Sequence, residues 1–163
     1  METVQLREQP IQSDIAAVGS ILTSSGFFNA EEVEVGISLV RERLEVGEVC
    51  QYFFQFAQMG EQVVGYTCYG PIPGTKVSYD LYWIAVDPAY QRQGLGGLLL
   101  EATQREIHKR GGKRIYIETS STDLYAPTRS FYTNHGYFLE ARLHDYYAPN
   151  DDKLLYVQAW EDV

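Results

Sequence analysis

Between Val86 and Gly97 the chain reads Val-Asp-Pro-Ala-Tyr-Gln-Arg-Gln-Gly-Leu-Gly-Gly, and within it Gln91, Arg92, Gln93, Gly94, Leu95, Gly96 and Gly97 have the make-up of a turn that meets an anion. A strand ends, a glycine-rich turn follows and a helix begins. Backbone N–H groups without helical partners, and the positive end of the helix, then converge on one point, which suits a phosphate. Glycine lets the backbone approach the anion where a Cβ would stand in the way. Leu95, Leu98, Leu99 and Ala102 recur at helical spacing, so one face of this helix packs against something. Other readings of the turn stay open at this point. A Walker loop requires Gly-Lys-Ser/Thr, which is absent. A dinucleotide fingerprint requires glycine or alanine where this chain has Leu99, although Glu118 does lie about 20 residues on, as that fingerprint asks. A chain of 163 residues is also short for two mononucleotide-binding halves. A plain strand-to-helix turn without a ligand is the remaining alternative.

Gln91-Arg92-Gln93-Gly94-Leu95-Gly96 resembles the Gln/Arg-x-x-Gly-x-Gly/Ala turn of the GNAT superfamily of acyl-CoA-dependent N-acyltransferases. Ile84-Ala85-Val86-Asp87-Pro88 is similar to that family's central strand, and Phe131-Tyr132-Thr133-Asn134-His135-Gly136-Tyr137 to its Phe/Leu-Tyr-x-x-x-Gly-Phe/Tyr segment. The motifs stand in the family's order with a strand between them. The resemblance covers residues 80–160 well and the first 79 residues by pattern only. It implies a GNAT fold, of the α/β (α+β) class: a mixed, mostly antiparallel sheet of about seven strands with helices on both faces. It also implies acetyl-CoA as co-substrate, its pyrophosphate on the backbone of Gln91–Gly97. Its pantetheine arm would lie along the backbone of Ile84, Ala85 and Val86, which would also polarise the carbonyl.

Acyl transfer from a thioester to an amine requires a neutral amine, a stabilised carbonyl oxygen and a proton for the departing thiolate. A direct attack needs no nucleophilic cysteine. By resemblance Tyr132 is the acid, its hydroxyl directed at the coenzyme A sulfur; a phenol of pKa about 10 gives up a proton without being ionised at neutral pH. Glu118 lies in Ile115-Tyr116-Ile117-Glu118-Thr119, where alternation puts Tyr116 and Glu118 on one strand face, towards either a cleft or a helix. Glu118 matches a glutamate of the ribosomal-protein alanine N-acetyltransferases within the superfamily, which implies the general base. Those enzymes also carry a Tyr-Tyr pair, similar to Tyr146-Tyr147. The chain departs from them by about two extra residues between Glu118 and Tyr132, and by Tyr125 where the family has asparagine. Asp80 and Tyr82 on the central strand are alternatives to Glu118. With Phe27, Phe28 and Tyr147 they are candidates for lining the acceptor site. Phe27 and Phe28 equally fit a hydrophobic staple. Asp151-Asp152-Lys153 either binds an ammonium group or, more simply, forms a solvated turn. An α-amine of pKa about 8 costs roughly 1.4 kcal/mol to deprotonate at pH 7, against roughly 4.6 for lysine. One carboxylate covers the first comfortably, so the α-amine of a peptide or amino acid is the favoured acceptor.

The elements that position these groups follow from periodicity. Thr3–Glu8 alternates as an edge strand; Ser13-Asp14 opens a helix that Ser24-Ser25-Gly26 ends; Asn29 and Glu32 form a capping box for a helix to about Val46. Strands are expected at Tyr52–Met59, Gln62–Tyr69, Tyr79–Val86, Arg114–Thr119, Phe138–Asp145 and Leu154–Trp160, and a short helix from about Pro127. The whole chain, 1–163, reads as one domain. A net charge of -9 argues against general nucleic-acid binding and is compatible with a cationic amine. No apolar run approaches the length of a membrane span, and nothing reads as a signal peptide. Cys50 and Cys68, the two cysteines, have no metal spacing and read as buried, reduced thiols in a cytoplasmic protein. His108 is expected on the polar face of its helix, His135 before a capping glycine, and His144 without a partner. No metal site is expected, and a homodimer is compatible with the resemblance. Two rival functions remain: a non-catalytic acyl-CoA-binding or sensor module, and a dinucleotide-binding oxidoreductase.

Overall fold

The computed structural model describes residues 2–161. Its strands are β1 (Val4–Arg7), β2 (Phe53–Met59), β3 (Gln62–Pro71), β4 (Ser78–Val86), β5 (Arg114–Ser120), β6 (Phe138–Ala148) and β7 (Asp151–Ala159). They form one seven-stranded sheet in the order β1-β2-β3-β4-β5-β7-β6. The pairs β1–β2, β2–β3, β5–β7 and β6–β7 are antiparallel and β4–β5 is parallel, a mixed sheet of the expected class. The helices are α1 (Asp14–Ser25), α2 (Ala30–Val46), α3 (Leu95–Lys109) and α4 (Ala126–Asn134). Gly26 ends α1 at φ 75°, a left-handed conformation that favours glycine. Asn29 caps α2 as the sequence requires: its Oδ1 accepts from Glu32 N at 2.8 Å, and Glu32 Oε2 accepts from Asn29 N at 2.9 Å.

The chain divides into two compact units, one of the residues up to Gly70 with Tyr82–Glu106, the other of Pro71–Leu81 with the residues from Ile107 on. In the first, Val18, Ile21 and Leu22 of α1 and Val40 of α2 pack with Phe54, Phe56, Tyr66 and Cys68. Ala57 and Val64 pack instead with Leu95 and Leu99 of α3. Val63 and Val64 alternate onto opposite faces, and the β2–β3 register shift at Ala57/Gln58 puts Val63 on the face of Tyr66 and Cys68. Helices thus cover both faces of this part of the sheet. Each large apolar side chain so buried contributes about 1.5–3 kcal/mol. Asp14, fully buried, ties α1 to β1: it accepts from both terminal nitrogens of Arg7 at 2.8 Å and from Ile11 N at 2.7 Å.

In the second unit Ile115, Ile117, Leu154 and Tyr156 are buried on one face of the β5–β7 ladder, while Tyr116, Glu118, Lys153 and Leu155 alternate onto the other. Here the structure corrects an expectation. Asp151-Asp152-Lys153 is not a solvated turn but the start of β7, and Asp152 is buried at 5% exposure. Between the register pairs Leu143–Lys153 and Ala148–Asp151, β6 carries four residues, 144–147, opposite the single residue Asp152. That carboxylate closes the bulge: it accepts from Asp145 N at 2.8 Å and from Arg142 Nε at 2.5 Å. The bulge also gives His144 a partner, with Nδ1 at 3.3 Å from Asp152 Oδ2. The strands are longer than expected because the bulge keeps β6 and β7 paired past residues that read as a loop. Cys68 is buried as expected, but Cys50 is only half-buried, since it lies at the end of the 3-10 turn after α2.

Candidate functional site

The first unit holds the anion-binding turn. Gln91, Arg92, Gln93 and Gly94 are exposed, Leu95 is buried at the first position of α3, and Gly96 and Gly97 are half-buried. Leu98 N donates to Gly94 O at 3.1 Å, so the N–H groups of Leu95, Gly96 and Gly97 precede that bond of the helical ladder. Arg92 (φ 64°) and Gly94 (φ 78°) both take left-handed backbone, and the space beside Gly94 is open. A left-handed arginine on an exposed turn is strained, and such strain gathers at ligand clamps. Alternating the backbone hand turns successive N–H groups inward and makes an anion nest, so these residues fit a pyrophosphate. Asp87 Oδ1 accepts from Ala89 N at 2.9 Å and fixes the lead-in, as Pro88 does by restricting its own backbone.

The same unit carries Ile84, Ala85 and Val86 on β4, with Ala85 buried. Phe28 sets its ring against Trp83 (centroids 5.0 Å apart) at the rim of the α1–α2 cluster, where Val33 also lies. That is where a staple residue before the Asn29 cap belongs. Phe27 lies beside it, ring centroids 6.4 Å apart. Tyr82, 36% exposed, meets Tyr52 edge to face at 5.6 Å.

The second unit gathers the titratable groups. Asp80 of β4 pairs in parallel register with Tyr116 of β5, and Glu118, two residues on, shares that face. Lys153 of β7 stands opposite Ser120 and reaches Glu118, with Nζ 2.9 Å from Oε1. The bulge in β6 presents Tyr146 and Tyr147 to the same place: Lys153 Nζ lies 4.5 Å from the Tyr146 ring centre, and the two tyrosine rings meet edge to face. Burial, then the charge of Glu118, push the Asp80 carboxyl up to about 6, while Lys153 pulls the other way. Burial and the same glutamate raise Tyr147. Burial disfavours the Lys153 cation, but the bond to Glu118 and that carboxylate's charge outweigh it, and its pKa is raised.

Tyr132 is not part of this group. It is buried on α4 among the rings of Phe131 (5.6 Å), Tyr137 (6.0 Å) and Tyr156 (6.3 Å). Tyr156 pairs with Ile117 on the face of the ladder turned away from Glu118. Tyr132 and the Glu118–Lys153 pair therefore lie on opposite faces of one ladder. Burial, with Tyr137 and Tyr125 nearby, holds the Tyr132 phenol above the usual range, so it stays a proton donor at neutral pH. Burial likewise pushes the Cys68 thiol up, away from a thiolate nucleophile. Sequence reasoning missed Lys153 as a member of the site. The sequence carries no local signal for it, because the pairing of Leu143 with Lys153 is set by the β6–β7 register.

Residues 21–137 match the model of the acetyltransferase (GNAT) family. The chain belongs to the GNAT family. A curated GNAT relative, the ribosomal protein bS18-alanine N-acetyltransferase of Escherichia coli K12, is 42% identical over 72 residues, 44% of this chain and 47% of the relative. The match thus spans about half the length of the curated relatives. A solved GNAT-family protein from Desulfovibrio desulfuricans superposes with TM-score 0.95 and 42% identity, over 96% of this chain and 99% of that one. The PaiA N-acetyltransferase of Thermoplasma acidophilum, solved in complex with coenzyme A, shares the fold at TM-score 0.73 and 16% identity, over 97% and 99% of the two chains. Among the described residues of this GNAT member no helix is long and apolar enough to cross a membrane.

Proposed function

We propose that this GNAT member is an N-acetyltransferase that moves the acetyl group of acetyl-CoA to a primary amine, the α-amine of a peptide or amino acid being favoured. The observation that carries the reading is the open turn Gln91–Gly97, with left-handed Arg92 and Gly94 at the head of α3. Acetyl-CoA, as co-substrate, supplies the activated carbonyl. The backbone N–H groups of Arg92–Gly97 hold its pyrophosphate, and the β4 backbone at Ile84, Ala85 and Val86 holds the arm and polarises the carbonyl oxygen. A carboxylate of the Asp80–Glu118 pair removes the proton of the attacking amine as the C–N bond forms. The Tyr132 hydroxyl delivers a proton to sulfur as the C–S bond breaks. Tyr147, in the unit that carries Asp80 and Glu118, borders the acceptor.

A peptide amino terminus is supported on two grounds. The relative that is 42% identical over 72 residues acts, by its name, on an alanine of ribosomal protein bS18. An α-amine also needs roughly 3 kcal/mol less help to reach its neutral form than lysine does. The test is release of coenzyme A thiol from acetyl-CoA across a panel of α-amino peptides, free amino acids, polyamines and lysine peptides. A peptide α-amine should be turned over fastest. Binding of acetyl-CoA with no turnover on any acceptor would replace the enzyme with a sensor module.

A further inference from the structure

Two carboxyl groups on one face of a sheet raise the question of which one takes the proton, and the answer rests on the acetyl-transfer reading above. We propose that Lys153 is a positioning residue that engages the Glu118 carboxylate, so that Asp80 is the carboxylate left to receive the proton of the incoming amine. The geometry is a row across three strands. Asp80 stands on β4 beside Tyr116, Glu118 follows on β5, and the Lys153 ammonium closes the row from β7 at 2.9 Å from Glu118 Oε1. The lysine is held there: its side chain is 12% exposed, and it lies over the Tyr146 ring delivered by the β6 bulge.

One oxygen of the Glu118 carboxylate is occupied by the Lys153 ammonium. Asp80 has the opposite surroundings. It is half-buried, and burial, then the charge of Glu118, raise its carboxyl. A carboxyl so placed gains its proton near neutrality, where a general base works best. Tyr116 of β5 pairs with Asp80, and the charged groups that act on it are Glu118 from β5 and Lys153 from β7. Of the two charges among them, Glu118 raises and Lys153 lowers the Asp80 carboxyl, so removing either one moves its titration in a known direction.

The experiment uses the full chain and two readouts: 13C NMR titration of the Asp80 carboxyl, and the pH profile of kcat/KM with an accepted amine. Lys153→Met should move the Asp80 midpoint and the acidic limb of the profile upward together, by about half a pH unit or more. Lys153→Arg should return both. Glu118→Gln should move both downward, because it removes the negative neighbour and turns Lys153 towards Asp80. Asp80→Asn should lower kcat by about 10²-fold or more across the whole pH range. A midpoint that stays put or falls in Lys153→Met overturns the proposal, as does loss of turnover in Glu118→Gln with turnover kept in Asp80→Asn. If no amine is acetylated at all, the functional reading fails by itself, while the NMR titration still decides what Lys153 does.

Discussion

The Tyr132 hydroxyl sits at the end of a ring cluster on α4, with its own backbone carbonyl accepting from His135 N at 3.0 Å and Tyr137 N at 3.1 Å. The ring is therefore fixed by packing. Tyr132→Phe keeps the ring packing and removes only the hydroxyl, so it should lower kcat by about 10²-fold while the KM for acetyl-CoA stays within about twofold. Steady-state kinetics of the two proteins checks this, and equal kcat values would take Tyr132 out of the mechanism. At this scale the sequence offered candidates where a motif is contiguous. Gln91–Gly97 and Phe131–Tyr137 are contiguous, and a contiguous motif carries its own geometry. The Glu118–Lys153 pair is not local, because 34 residues separate its members and only the β5–β7 register brings them together. The residue types were visible; the partnership was not.

Helices and strands were legible to within a few residues wherever a boundary has a chemical cause. The Asn29–Glu32 box and the Gly26 cap are such causes, and α1 and α2 begin and end where they direct. The β6–β7 hairpin was not, because its bulge is stabilised by a side chain from the opposite strand. Asp152 has its carboxyl held below the usual range by the Asp145 N–H and the Arg142 bond, against the effect of burial. A depressed carboxyl stabilises the fold above about pH 4, its value in the unfolded chain, and loses that effect as pH falls through the native value. Asp152→Ala should therefore lower Tm at pH 7, and the gap to the parent protein should narrow steadily in acid. Thermal unfolding at a series of pH values measures it. The same variant should blur the placement of Tyr146 and Tyr147, raising the KM of the acceptor more than that of acetyl-CoA.

For the molecule as a whole, the fold class and a mixed sheet of about seven strands came with the resemblance of Gln91–Gly96 and Phe131–Tyr137 to the GNAT motifs, and the periodic segments supplied strands and helices in the matching order. The division of contacts into two compact units was not readable, because β4 and α3 are continuous periodic segments that contribute to both. A ligand that binds only the folded chain stabilises it by about 2.7 kcal/mol at a hundred times its Kd. For a chain of this size that corresponds to a rise in Tm of about 5–10 °C. Acetyl-CoA should give such a rise in a thermal scan and NAD should give none; the reverse result would restore the dinucleotide reading. One placement has a further cost in time. Tyr132 and the carboxylate pair occupy opposite faces of the β5–β7 ladder, so the proposed chemistry leaves a surplus proton on one side and a deficit on the other after every cycle. Both groups must return to their starting protonation before the next turnover.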